Sequence, residues 1–86
     1  KRFHAGDRWT EDVLAVLARS TLDNQLYARS AAYYDELIPR RQRANPRGTG
    51  GDGTLSGYYA NAARAYAGLG DTKKAVDMAS GAVVSW

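Results

Sequence analysis

The chain of 86 residues contains no cysteine, a single histidine and only two prolines. Without cysteine it has neither a disulfide framework nor a thiolate metal site. The sequence shows no second histidine or carboxylate that would complete a metal or acid–base site with His4, so a surface or packing role is expected for this residue. No apolar run approaches the roughly 20 residues that span a bilayer. No signal-peptide h-region is visible, which favours a soluble, cytoplasmic protein.

Catalytic motifs are also missing from the sequence. There is no GxSxG, no HExxH and no cysteine nucleophile. Asp35 and Glu36 are adjacent, so they cannot share a helix face, and no acid–base pair of carboxylates is indicated. The segment Gly48–Thr54 is rich in glycine but lacks the lysine of a phosphate-binding P-loop, which favours a flexible loop over weak anion capture. We therefore expect no enzyme activity, no cofactor and no metal.

The net charge is +3, and four arginines stand close together at Arg40, Arg41, Arg43 and Arg47. Such a cluster can follow a phosphate backbone, so binding of a nucleic acid or an anionic surface is the alternative function. No aromatic residue is interleaved to stack on bases. Cations at the end of a helix also complement its dipole. A solvated helix end is therefore favoured, and nucleic acid is not the expected partner.

Apolar residues recur with helical spacing in four segments, and no segment shows the alternation of a half-buried strand. The sequence predicts one all-α domain over residues 1–86. Two helical hairpins, at about 8–43 and at 55–86, are joined by a glycine-rich loop at 45–54. Pro39 either ends the second helix or kinks it, and a kinked extension through Arg43 is favoured. The expected helix N-caps are Thr10, then Asp23 or Asn24, then Thr54 or Ser56, and finally Asp71.

Each predicted helix has an apolar stripe that we expect to face the core. Gly70 should end the third helix in a left-handed conformation. The expected core-facing residues are Trp9, Val13, Leu14, Val16 and Leu17 in the first helix; Leu26, Tyr27, Ala31, Tyr34, Leu37 and Ile38 in the second; Leu55, Tyr58, Tyr59, Ala62, Ala63, Tyr66, Ala67 and Leu69 in the third; and Ala75, Val76, Ala79, Ala82, Val83 and Trp86 in the fourth.

Residues 56–86 resemble a tetratricopeptide repeat. The family pattern is W-x2-L-G-x2-Y, then A-x3-F, then a later alanine and proline. This chain has Tyr59-x2-Ala62-Ala63-x2-Tyr66, then Ala75-x3-Ala79, then Ala82. The intervals match, but Ala79 stands where the family has a large aromatic residue. Residues 8–43 are similar to the family in helix–turn–helix length rather than in motif, so the glycine-rich loop would be an insertion between two repeats.

The resemblance implies a right-handed stack of two antiparallel hairpins that binds another protein or a peptide. In the family, the first helix of each repeat lines a concave groove, which here would place Asn61 and Arg64 in the groove, with Asp12 and Arg19 from the first hairpin. Solenoid repeats generally need about three units for stability. We therefore expect the chain to be part of a longer repeat protein, or to self-associate through its terminal helices.

Overall fold

The structure, a computed structural model, describes residues 10–44 and 53–85 and forms four α-helices there. They are α1 (Glu11–Asp23), α2 (Tyr27–Ala44), α3 (Gly53–Gly68) and α4 (Thr72–Ser85). This part of the chain contains no strand, so the all-α prediction is confirmed. Short connections make α1 and α2 one antiparallel hairpin and α3 and α4 another, and α3 also packs along α2. None of these helices is both long and apolar enough to cross a membrane.

Local sequence signals place two of the helix starts correctly. The backbone N–H of Val13 donates to Thr10 Oγ1 at 3.3 Å, so Thr10 is the N-cap of α1. The N–H of Lys74 donates to Asp71 Oδ1 at 3.1 Å. Each side chain satisfies one of the N–H groups that the first turn leaves without a partner. Helix α2 also continues past Pro39 to Ala44, so the predicted extension through Arg43 is confirmed.

The other two predicted N-caps are wrong. Asp23 is the last residue of α1, and Asn24 is its C-cap, whose Nδ2 donates back to the Ser20 carbonyl at 2.8 Å. Thr54 and Ser56 lie inside α3, which begins at Gly53, so the second hairpin starts earlier than predicted. A residue of these types caps a helix only when it stands immediately before the first helical residue, and none of these four holds that position.

The two hairpin turns have the same geometry. Gln25 and Gly70 both have a positive φ, of 62° and 82°. In each turn the next residue donates its N–H across the helix end, from Leu26 to the Thr21 carbonyl at 2.8 Å and from Asp71 to the Tyr66 carbonyl at 2.9 Å. This is the Schellman arrangement. At the same spacing along the chain, the pattern Ala-x-x-Ala-Arg at 15–19 recurs at 60–64.

The core lies between α1, α2 and α3. Leu14, Ala18 and Leu37 are fully buried there, and Tyr34 is 1% exposed. The predicted face of α1 is wrong in part, because Val13 and Val16 are exposed while Leu14, Ala18 and Leu22 face the core. The predicted stripe of α2 is confirmed at four positions: Ala31, Tyr34, Leu37 and Ile38.

Most of the apolar stripe predicted for α4 does not face the core. Val76 and Val83 are 57% and 79% exposed. Ser85 is the one α4 residue within the described chain that is buried. The terminal Trp86, like residues 1–9 and the segment 45–52, lies outside the described residues. Helix α4 thus packs on α3 and leaves an apolar face uncovered.

Close packing within the second hairpin depends on a glycine. The ring of Tyr59 on α3 lies directly against Gly81 on α4, where a Cβ atom would come within 2.6 Å of the ring. The hydroxyl of the same tyrosine accepts a hydrogen bond from Gln42 Nε2 at 2.9 Å. Tyr59 therefore spans from α4 to α2 and joins the two hairpins.

Candidate functional site

Polar side chains of three helices act on the hydroxyl of Tyr34. Burial raises the pKa of this phenol above its ordinary value. A hydrogen bond with the side chain of Asn61 lowers the pKa in part, as does the positive charge of Arg19 and of Arg64. The Asp23 carboxylate raises it. Helix α2 thus supplies the hydroxyl, α1 supplies Arg19 and Asp23, and α3 supplies Asn61 and Arg64.

Three of the four residues that we predicted to line a groove act on the Tyr34 hydroxyl. Arg19, Asn61 and Arg64 act on one phenol although they lie on two different helices. Asp12, the fourth, belongs to another part of α1, where its charge acts on Tyr58. That these residues line a binding groove stays a prediction. Tyr34 and Asp23 were assigned to the core and to a helix cap, although Asp23 follows Arg19 at the four-residue spacing that favours a helix ion pair.

The two arginines differ in their partners. Arg19 Nε donates to Asp23 Oδ1 at 3.0 Å, and both side chains are more than half exposed, at 57% and 58%. An exposed pair of this kind contributes little to stability, so Arg19 can exchange this partner for a ligand at small cost. Arg64 is exposed and forms no ion pair with any residue that the structure describes. The surface therefore presents one paired and one unpaired guanidinium group beside an amide.

A second polar cluster ties α3 to the start of α1. The Tyr58 hydroxyl donates to Glu11 Oε2 at 2.7 Å, and Arg41 Nη1 lies 3.6 Å from the same oxygen. Burial raises the pKa of Tyr58 strongly, and the hydrogen bond to the Glu11 carboxylate raises it further. Three helices meet at this carboxylate, which gives the cluster a structural role.

The predicted arginine cluster is divided by this contact. Arg41 is half-buried against Glu11, Arg40 is also half-buried, and Arg43 is exposed at the end of α2. Arg47 lies outside the described residues. The sequence shows the run of positive charges but not the carboxylate that one of them contacts, because that carboxylate is far away in the chain.

A third tyrosine, Tyr66, joins α3 to α2. The Tyr66 hydroxyl donates to Asp35 Oδ2 at 2.6 Å, and Lys74 Nζ lies 5.4 Å from the centre of the Tyr66 ring. Burial, together with the bond to Asp35, raises the pKa of Tyr66 to about 12. Asp35 therefore has a structural partner.

These raised pKa values predict alkaline unfolding. A phenol whose pKa is higher in the folded than in the unfolded chain stabilises the fold below the unfolded value of about 10, and this stability is lost as pH rises through the folded value. For Tyr66 that loss falls between pH 10 and about 12. We expect helical circular dichroism to collapse over this interval, together with the appearance of tyrosinate absorbance.

The Tyr66→Phe variant tests the cause of this unfolding. At neutral pH it should be less stable, because the hydrogen bond to Asp35 is lost. Between pH 10 and about 12 its stability should fall less steeply with pH than that of the parent chain, because one phenol fewer is titrated. An unchanged slope would show that Tyr66 does not contribute to the alkaline transition.

Two depressions lie near the Tyr34 cluster. A hollow of about 480 Å³ follows the outer face of α1 and is lined by Val16, Arg19, Ser20 and Asp23 among others. A groove of about 360 Å³ runs between α3 and α4, and Arg64 stands at its edge among alanines. Both are open and shallow, which suits an extended or helical segment better than an enclosed small molecule.

Within the described residues, no group of three or more histidine, cysteine or acidic side chains is placed to hold a metal ion.

Comparison of the chain with family models, with curated proteins and with solved structures found no match.

Proposed function

We propose that this chain is a non-catalytic protein-interaction module, built as a right-handed stack of two tetratricopeptide-like hairpins, which binds a peptide segment through Arg19, Asn61 and Arg64. The proposal is supported by the spacing of residues 59–82 and by the equivalence of the two hairpin turns. The placement of α3 along α2 agrees with such a stack.

The observation that carries the binding proposal is that Arg19, Asn61 and Arg64, from two different helices, all act on the hydroxyl of the buried Tyr34. Tyr34 holds the Asn61 amide, while both guanidinium groups remain exposed. An arginine can donate two parallel hydrogen bonds to a carboxylate, and charge-assisted bonds are stronger than neutral ones. With two arginines and one aspartate acting on the Tyr34 hydroxyl, the surface has a net positive charge and suits a peptide carboxylate.

The test compares two pools of short random peptides, one with a free C-terminal carboxylate and one amidated. We expect the free-carboxylate pool to shift the amide NMR signals of Arg19, Asn61 and Arg64. In Arg19→Gln/Arg64→Gln we expect these shifts to need at least about tenfold more peptide, because two charge-assisted hydrogen bonds are lost.

Arg43→Gln is the matched control, because Arg43 is equally exposed but lies at the far end of α2. This variant should bind as the parent chain does. Equal shifts with both pools would show that a carboxylate is not recognised. Absence of any shift from either pool at millimolar concentration would refute peptide binding at this surface.

A further inference from the structure

The ion pair between Arg19 and Asp23 belongs to the proposed binding surface. Both side chains line the hollow of about 480 Å³ on the outer face of α1. Both also act on the Tyr34 hydroxyl, as Asn61 and Arg64 do. Within the described residues, Asp23 is the one acidic side chain that acts on this hydroxyl, so it sets the surface charge against that of the two arginines.

Helix stability does not account for an aspartate at this position. Asp23 is the last residue of α1, where a carboxylate meets the negative end of the helix dipole. Its ion pair also has the weaker of the two possible orders, because an acid that precedes a base by four residues stabilises a helix more than the reverse. Both side chains are more than half exposed, so the pair adds little to the fold. Asp23 thus departs from two local rules, and such departures are expected at functional sites.

Asp23 occupies part of the binding capacity of Arg19. The Arg19 Nε–H donates to Asp23 Oδ1 at 3.0 Å, which leaves the N–H groups of the two Nη atoms for a ligand. An anion bound there would share one guanidinium group with the Asp23 carboxylate, so two negative groups would lie close together. The repulsion between them is proportional to the charge of the ligand. Asp23 therefore weakens the binding of any anion, and it weakens that of a doubly charged anion more.

The two anionic groups that peptides commonly carry differ in this charge. A carboxylate has one negative charge, whereas a phosphorylated side chain has about 1.5 to 2 at pH 7. On the basis of the function proposed above, we propose that Asp23 is the specificity-determining residue of the surface formed by Arg19, Asn61 and Arg64, and that it shifts the preference of this surface from a phosphorylated side chain toward a singly charged peptide carboxylate.

The test measures the affinities of two short peptides by amide NMR titration of the complete 86-residue chain. One peptide is an acetylated tripeptide of alanine with a free C-terminal carboxylate. The other is the corresponding C-terminal amide with phosphoserine as its central residue. In Asp23→Asn we expect the carboxylate peptide to bind about threefold more tightly, which is the size of effect that an exposed ion pair exerts. The phosphopeptide should gain about tenfold, because its charge is about twice as large.

Two further variants separate charge from shape. Asp23→Glu keeps the negative charge and should keep the parent's ratio of the two affinities. Asp77→Asn makes the same chemical change at an exposed position of α4, so it is the matched control and should bind both peptides as the parent does.

Salt and stability provide two independent measurements on Asp23→Asn. At about 1 M salt, where the Debye length falls to about 3 Å, its gain in affinity should largely disappear. Its midpoint in urea denaturation should equal or exceed that of the parent, because an unfavourable charge at the helix end is removed together with a weak ion pair.

The outcomes distinguish this role of Asp23 from the binding surface itself. An unchanged ratio of affinities in Asp23→Asn, while the parent binds the carboxylate peptide, would overturn the role of Asp23 alone. The same change of ratio in Asp77→Asn, or a gain that persists at about 1 M salt, would also overturn it. Absence of binding of either peptide to both the parent and Asp23→Asn would refute the binding surface, and the role of Asp23 with it.

Discussion

Replacing Leu37 with alanine is expected to lower the free energy of unfolding by about 2–5 kcal/mol. Leu37 is fully buried in the core between α1, α2 and α3, so the smaller side chain would leave a cavity. A domain of this length has a total stability of only about 4–13 kcal/mol. Urea denaturation followed by helical circular dichroism should therefore show a large fall in the transition midpoint. If the lowest total stability is combined with the largest loss, the variant is mostly unfolded even without denaturant.

Leu69→Ala is the matched control for this prediction. The chemical change is the same, but Leu69 is 48% exposed in the turn before α4. Its replacement should change the free energy of unfolding by only about 0.5 kcal/mol, as for most surface substitutions. Similar losses at the two positions would mean that Leu37 does not lie in a packed core.

Gly81→Ala is expected to destabilise the chain by about 1–3 kcal/mol, the usual cost of overpacking. The added methyl group would lie 2.6 Å from the Tyr59 ring. The ring cannot easily turn away, because its hydroxyl is held by Gln42. The loss should appear in urea denaturation even though alanine favours helix over glycine by up to about 1 kcal/mol.

Gly57→Ala is expected to raise the free energy of unfolding, in contrast to Gly81→Ala. Gly57 lies inside α3, and a Cβ atom there would meet nothing within 4 Å. Only the gain in helix propensity remains, so this variant should be more stable by about 0.5–1 kcal/mol. If both alanine variants were stabilised, the close approach of α4 to Tyr59 would be refuted.

The features that were predictable from sequence are those decided within one helical turn. Thr10 and Asp71 cap their helices, and Gly70 adopts the left-handed conformation, because each depends on a few adjacent residues. The turn at Gln25 was missed, since glutamine gives no signal for a positive φ. There the hydrogen bonds of the helix end impose the conformation.

The orientation of α1 and of α4 was not predictable in the same way. Both helices carry apolar residues around much of their circumference, so spacing alone does not say which of them meet the core. In α1 the side that contacts α2 carries Leu14 and Ala18, which leaves Val16 outside. In α4 the valines at 76 and 83 face outward because Gly81 contacts α3 instead.

The candidate site was predictable only to the extent that the family resemblance aligned its residues. Arg19, Asn61 and Arg64 were grouped in this way, and their role in binding stays a prediction. The partners of the tyrosines were not, because the bonds from Tyr58 to Glu11 and from Tyr66 to Asp35 join residues far apart in the chain. No periodic pattern reports which carboxylate a given hydroxyl will reach.

The tyrosine hydroxyls also limit how far the helices can slide along each other. A shift of α3 by one helical turn would move it about 5.4 Å along its neighbours. The same shift would separate Tyr58 from Glu11, Tyr66 from Asp35 and Gln42 from Tyr59. Specific polar contacts between packed helices are known to select one register among several in some proteins. In this chain the small residues allow the helices to approach, and the tyrosines determine the single alignment in which they do so.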